Sequence, residues 1–290
     1  MKRIASILLI LMSIQAAAQG IYQRPADNPH PTPPAVPPYA VFAGDTVYFD
    51  TTEKYERMDR ELMAFSYMHT TSSLMLKRSG RYFPFIEAML KDNGIPDDFK
   101  YLCVIESNLD PKAVSATGAA GLWQFTSATA REFGLEVNAE VDERYNEDKE
   151  TIAACTYLKR AYAKFGNWIN AAASYNCGMG GVATRIETQK QDSFFDLLLP
   201  EETSRYVYRI LAAKMFFSNP QAFGYQVTER YKPVEIRRDV VVSGGIPSLV
   251  DFAGQYGISY AELKRANLWL RSDKLTNKDK RSYSIRIPKP

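Results

Sequence analysis

The sequence predicts a mainly α-helical chain that ends in a small α+β module, on three observations. Between residues 53 and 220 apolar residues recur at helical spacing in one segment after another. No strand pattern of comparable clarity interrupts them. From Tyr231 the texture changes, and two β-rich stretches bracket two short helical ones. With 290 residues, 46% of them apolar, the chain is long enough to bury a real core in one large domain or two ordinary ones.

Taken in order, Met1 to Gly20 has Lys2 and Arg3, an apolar run from Ile4 to Ile14, and Ala16, Ala17 and Ala18 before Gln19. That pattern is a secretory signal peptide, residues 1–18, cut near Ala18; the apolar run is short for a membrane span. No stable span is therefore expected after cleavage. Losing Lys2 and Arg3 takes the formal charge from +3 to +1, which argues against a nucleic-acid binder that depends on neutralising phosphates. Residues 19–44 are expected to be an extended spacer, because seven prolines fall between Tyr22 and Pro38.

Glu53 to Arg78 carries Met58, Leu62, Phe65 and His69 at helical spacing, and a second helix around Tyr82 to Lys91 is closed by Asn93, Gly94 and Pro96. Thr126 or Ser127 can cap a short helix ending near Phe133 and Gly134. Asn146 to Phe165 is amphipathic, with Gly166 beyond it; Trp168 to Tyr175 is a small-residue helix, and Glu202 to Phe217 is the last of the series. In the terminal module, Val234 to Val242 and Tyr283 to Ile287 have strand character. Pro247 to Tyr256 and Ser259 to Asn267 read as helices between them.

Cys103, Cys155 and Cys177 show no C-x-x-C spacing, so neither a disulfide framework nor a zinc site follows; Cys103 and Cys155 could meet if their helices pack together, and buried free thiols are the expectation for them. His30 and His69, the chain's two histidines, lie far apart, against a histidine metal site or a Ser-His-Asp triad. The acidic stretch Glu140 to Asp148 lacks the alternation and central glycine of a calcium loop and reads as a solvated or structural turn. No metal or cofactor is expected.

The rest of the chain is organised around Tyr101 to Thr126. An apolar run of helical spacing ends on Glu106, Asn108 to Pro111 stop the helix, and Gly118 and Gly121 precede Trp123, Gln124 and Phe125. A carboxyl set beside apolar rings resists ionising and can stay protonated near neutral pH, as a general acid requires. The same residues also describe a helix end followed by a glycine-rich loop.

The phrase E-S-N-L-D-P-K-A-V-S-A-T-G-A-A-G-L-W-Q-F closely resembles the signature of the Slt-type lytic transglycosylases. A-S-Y-N-C-G-M-G-G-V from Ala173 and E-T-S-R-Y-V-Y-R-I-L from Glu202 resemble that family's second and third motifs. V-D-E-R-Y-N-E-D and F-F-D-L-L-L-P-E-E-T are most similar to its membrane-bound lytic murein transglycosylase D branch. The terminal module, with G-I-S-Y-A-E-L-K-R-A-N, is similar to a LysM domain.

The resemblance implies a lysozyme-like catalytic domain over residues 45–230 and a LysM-like module over 231–290. It also implies an envelope or periplasmic location, and peptidoglycan glycan strands as substrate and partner. Glu106 would protonate the β-1,4 bond between N-acetylmuramic acid and N-acetylglucosamine, then take a proton from the muramyl C6 hydroxyl to leave a 1,6-anhydro end. The N-acetyl group would stand in for a second carboxylate. Ser115 would face the acid, Gln124 would contact an N-acetyl group, and Phe125, with Trp123, would line the sugar site or belong to the core. Tyr175 would close over the acid, Asn176 would hold backbone or sugar, and Glu202 and Tyr206 complete the third motif. A lysozyme-type hydrolase of the same bond and an inactive peptidoglycan binder are the competing readings. Removal of residues 231–290 is expected to cost sacculus affinity and leave some cleavage.

Overall fold

The computed structural model describes residues 33–226 and 229–289. The expected signal peptide and the first part of the proline-rich spacer lie outside them. The spacer expected to run to residue 44 stops earlier: Tyr39–Phe42 (β1) pairs antiparallel with Asp45–Tyr48 (β2), around Ala43 and Gly44 in left-handed conformation. The hairpin belongs to the core because Phe42, Val47 and Phe49 are buried. Phe42 lies 5.2 Å from the ring of Phe99.

Helix α1 (Thr52–Tyr67) starts on Thr51, whose hydroxyl accepts the Lys54 N–H. It ends at Met68, and α2 (His69–Asp92) begins at once and runs through Pro84. The sequence expectation of one helix to Arg78 and another from Tyr82 placed that break in the wrong position. Met68 takes the non-helical ψ of 58° instead. Helix α3 (Lys100–Ser107) is short and almost wholly buried, followed by α4 (Ser127–Glu132) on its Thr126 cap. Helix α5 (Glu147–Phe165) runs from an Asn146 cap to a left-handed Gly166. Helix α6 (Trp168–Gln189) continues past its expected end across a kink at Gly178, and α7 (Glu201–Ser218) closes the set.

These helices share one core with the hairpin, α3 lying inside it and α5 packing on α6. Arg205 of α7 clasps the buried Glu61 of α1 at 2.6 Å, which fixes the α1–α7 pair. Cys103 and Cys155 are buried free thiols. The terminal module has the expected β-α-α-β order: Ile236–Val242 (β3), Leu249–Gln255 (α8), Tyr260–Ala266 (α9) and Tyr283–Pro288 (β4), with β3 and β4 antiparallel. Ser259 and Glu262 form a capping box at the start of α9. Its core of Leu249, Phe252, Leu263, Ile285 and Ile287 is continuous with Ala120, Val141 and Tyr145 of the helical part.

Candidate active site

Helix α3 delivers Glu106. Its preceding residues Leu102, Cys103 and Val104 have no exposed surface, so the carboxyl leaves the helix at the edge of the core. Asn108 and Leu109, at φ of 53° and 55°, reverse the chain immediately afterwards. The reversal is tied down by Arg78, which donates to the Asn108 carbonyl and pairs with Asp110 at 2.7 Å.

Tyr206 of α7 donates its hydroxyl to Glu106 Oε1 and is itself 1% exposed. One turn further, Arg209 donates to the Ile105 carbonyl at 3.0 Å. Burial pushes the Glu106 carboxyl up to about 7. The Tyr206 hydrogen bond and the Arg209 charge pull it down, and the Glu202 charge adds to the rise. Desolvation therefore outweighs a nearby cation. The result is a carboxyl close to half protonated at neutral pH.

The glycine-rich segment forms the facing wall. Gly121 sits at φ 87° with the Arg144 carbonyl so close that a Cβ would fall 1.8 Å from it, so no other residue fits without moving the backbone. Gln124, also left-handed, donates its side-chain amide to the carbonyls of Ala113 and Gly121. It thereby pins the loop on itself, leaving its amide oxygen to act as an acceptor. Ser115, expected to face the acid, accepts the Ala119 N–H and shares a hydrogen bond with Thr117, both within the turn.

Phe125, expected either to line the sugar site or to belong to the core, is 3% exposed and packed edge-on against Tyr175, in the second of those places. Trp123 is fully buried, its indole bound to Thr151. Tyr175 donates to the Trp123 carbonyl at 2.9 Å, and the Glu106 charge adds to the burial that raises its own phenol. Asn176 accepts from Thr203 at 2.7 Å and reaches Glu202 at 3.5 Å, stitching the second motif to the third. Glu106, Tyr175, Asn176, Glu202 and Tyr206 thus come together, with Gln124 on the loop beside them.

Three residues that the sequence reading passed over complete the surroundings. Arg209 follows Glu202 and Tyr206 at helical spacing on the same face. Glu150 has no exposed surface, accepts the Trp123 N–H, and has its carboxyl pushed well above the usual range by burial. Its register with the buried Ala154, Tyr157, Leu158 and Ala161 was a readable signal. Arg144 is the third, and its carbonyl backs Gly121. Among the described residues no group of His, Cys, Asp or Glu is arranged to hold a metal ion. Cavities of about 360 and 420 Å³ lie elsewhere: one where the helical part meets the module, the other between the start of α1 and residues 194–199.

Residues 83–197 match the family described as Transglycosylase SLT domain, and residues 238–290 match Soluble lytic transglycosylase C-terminal LysM-like domain. Membrane-bound lytic murein transglycosylase D of Escherichia coli strain K12 is 29% identical over 242 residues, 81% of this chain and 52% of that protein. The chain thus spans about half the length of that relative. Peptidoglycan transglycosylase gp16 of Escherichia phage T7 is 33% identical over 123 residues, 41% of this chain and 9% of the phage protein. The crystal structure of the 70 kDa soluble lytic transglycosylase of Escherichia coli aligns with a TM-score of 0.44 at 20% identity, over 63% of this chain and 34% of that one. The chain thus carries an SLT transglycosylase domain followed by a LysM-like domain of the soluble lytic transglycosylase C-terminal type.

Proposed function

We propose that the chain is a peptidoglycan lytic transglycosylase, cleaving the β-1,4 bond between N-acetylmuramic acid and N-acetylglucosamine. The observation that carries the reading is Glu106, a carboxyl lifted to about 7 by burial at the end of an apolar helix and held by the Tyr206 hydroxyl. A group of that pKa can give a proton and take one back within a single turnover. Protonated Glu106 donates to the glycosidic oxygen as the C1–O bond breaks. The resulting carboxylate then accepts the proton of the muramyl C6 hydroxyl, whose oxygen closes on C1. Tyr206 holds the carboxyl oriented through both steps. The Gln124 amide oxygen, Tyr175 and Asn176 are the groups that hold the sugar, with Glu202 fixing Asn176.

Residues 1–18 are taken as a signal peptide, residues 19–38 as a spacer, 39–230 as the catalytic domain and 231–290 as the module, placing the protein in the cell envelope or periplasm. Among the described residues no helix is long and apolar enough to cross a membrane. The test is mass spectrometry of fragments released from purified sacculi. Transglycosylation gives anhydromuramyl ends, lighter by one water than the reducing ends left by a hydrolase. Reducing ends would make the chain a lysozyme-type enzyme, and anhydro ends released at the native rate by Glu106→Gln would remove Glu106 from the chemistry.

A further inference from the structure

The terminal module does not sit beside the helical domain as a tethered appendage. Its connector is pinned along α2: Tyr231 N–H donates to the Lys77 carbonyl at 2.8 Å, Arg81 donates to the Lys232 carbonyl at 3.0 Å, and Gly80 leaves room for Arg230 against the helix. At the other edge, module residues Trp269 to Thr276 dock on residues 140–142 of the helical domain. Val141 bridges to Leu270, Asp142 N–H donates to the Trp269 carbonyl at 2.9 Å, and Arg271 N–H donates to the Glu140 carbonyl at 2.8 Å. The Glu140 carboxylate takes both the N–H and the hydroxyl of Thr276 at 2.6 Å. Arg286 of β4 pairs with Glu147 and Asp148 at the start of α5.

The docked segment leads directly to the candidate site. Asp142 and Arg144 form a two-pronged ion pair, both nearly buried, at 2.9 and 2.7 Å. The remaining arm of Arg144 donates to the Gly118 carbonyl at 2.8 Å and the Phe125 carbonyl at 3.3 Å, the two ends of the glycine-rich loop. Between those ends lie Gln124 and the Trp123 carbonyl that holds Tyr175. A guanidinium is suited to this task because its planar fork serves a carboxylate and a separate carbonyl at once, which an ammonium cannot match.

We propose that Arg144 is a positioning residue for the loop carrying Gln124 and the Trp123 carbonyl, and that the terminal module sets it through Asp142, so that the module is a fixed part of the active site. The expectation that cleavage survives without residues 231–290 is reversed by this reading. The effect on cleavage rests on the transglycosylase assignment; the hold on the loop does not.

The test uses the full-length protein with two kinds of variant. Arg144→Lys keeps the charge and loses the fork. Glu140→Ala with Thr276→Val opens the docking edge from a partly exposed position and touches no residue of the site. Amide hydrogen exchange is measured throughout, with kcat, KM and the pH–rate profile on soluble glycan strands. In both variants exchange at Gly118–Phe125 should quicken about tenfold or more while α1 and α7 keep their protection. The rate constant kcat should fall by a similar factor, with the alkaline limb unmoved because Tyr206 and Arg209 are untouched. Exchange in the loop equal to wild type in the edge variant overturns the proposal, and so does quickening spread evenly over the helical domain. If the wild-type protein cleaves nothing, the transglycosylase reading fails and the exchange data still decide the brace.

Discussion

Replacing Glu106 by Gln separates what the carboxyl does for chemistry from what it costs the fold. Its value of about 7, against an ordinary 4.5, means that the native state binds the proton more tightly than the unfolded chain does. A group raised in this way contributes stability that is full below its unfolded value and lost as pH rises through its folded value. Each tenfold difference in proton affinity corresponds to about 1.4 kcal/mol, so the interval amounts to about 3 kcal/mol, an upper figure because the side chain is partly open to solvent. Gln is of the same shape, carries no charge, and can still accept the Tyr206 hydroxyl. The assay is denaturant unfolding of wild type and Glu106→Gln at half-unit steps from about pH 4.5 to about pH 8.5. The difference should start near zero, grow in favour of the variant to about 3 kcal/mol by about pH 7.5, and then stay level. The other carboxyls, the buried Glu61 and Glu150 among them, are present in both proteins, so their contributions cancel. A difference that does not change with pH, or a wild type more stable than the variant at the alkaline end, would show that Glu106 is not desolvated, and the case for a neutral proton donor would go with it.

Tyr206→Phe removes the hydroxyl that lowers the Glu106 carboxyl. A hydrogen bond to a charged acceptor is worth about 1.5–3 kcal/mol, so the alkaline limb of the pH–rate profile should move up by about one to two pH units; a limb that stays in place counts against the contact. Gly121→Ala puts a Cβ against the Arg144 carbonyl at a left-handed φ and should cost about 3 kcal/mol or more. A thermal melt indistinguishable from wild type would contradict that close approach. Phe125→Leu should lose about 1–2 kcal/mol in stability with KM for glycan strands unchanged. A raised KM at unchanged stability would return Phe125 to the sugar site.

The helices were legible because apolar spacing and end signals coincide: Asn146 and Gly166 bound α5 in both sequence and structure. The hairpin was not, since strands of four residues are too short to show alternation and follow directly on Pro37 and Pro38. The break at Met68 carries no glycine or proline, and Gly80 stands inside a helix where a break is expected, so local propensity gives way to packing at both points. In the site, Glu106, Tyr175, Asn176 and Tyr206 were readable from their motifs. Which way Phe125 faces was not, because a loop has no periodicity to divide inside from outside. Arg144 was hidden for a related reason: beyond its pairing with Asp142, the groups that tie it to the loop are the Gly118 and Phe125 carbonyls, whose position no side-chain pattern records.

What remains is why Glu106 stays near neutrality beside an arginine. A direct Arg209–Glu106 pair would favour the charged form and drive the carboxyl well below neutral pH, where it could not serve as an acid. Arg209 instead donates to the Ile105 carbonyl, so it acts on Glu106 through its charge and not through a direct hydrogen bond. Glu202 opposes it from the start of α7, in reach of Asn176. The Tyr206 hydroxyl can serve either protonation state, donating to the carboxylate and accepting from the acid. Burial therefore sets the proton affinity, and the third motif trims it from one helix face through a tyrosine, an arginine and a glutamate spaced to act on the same carboxyl.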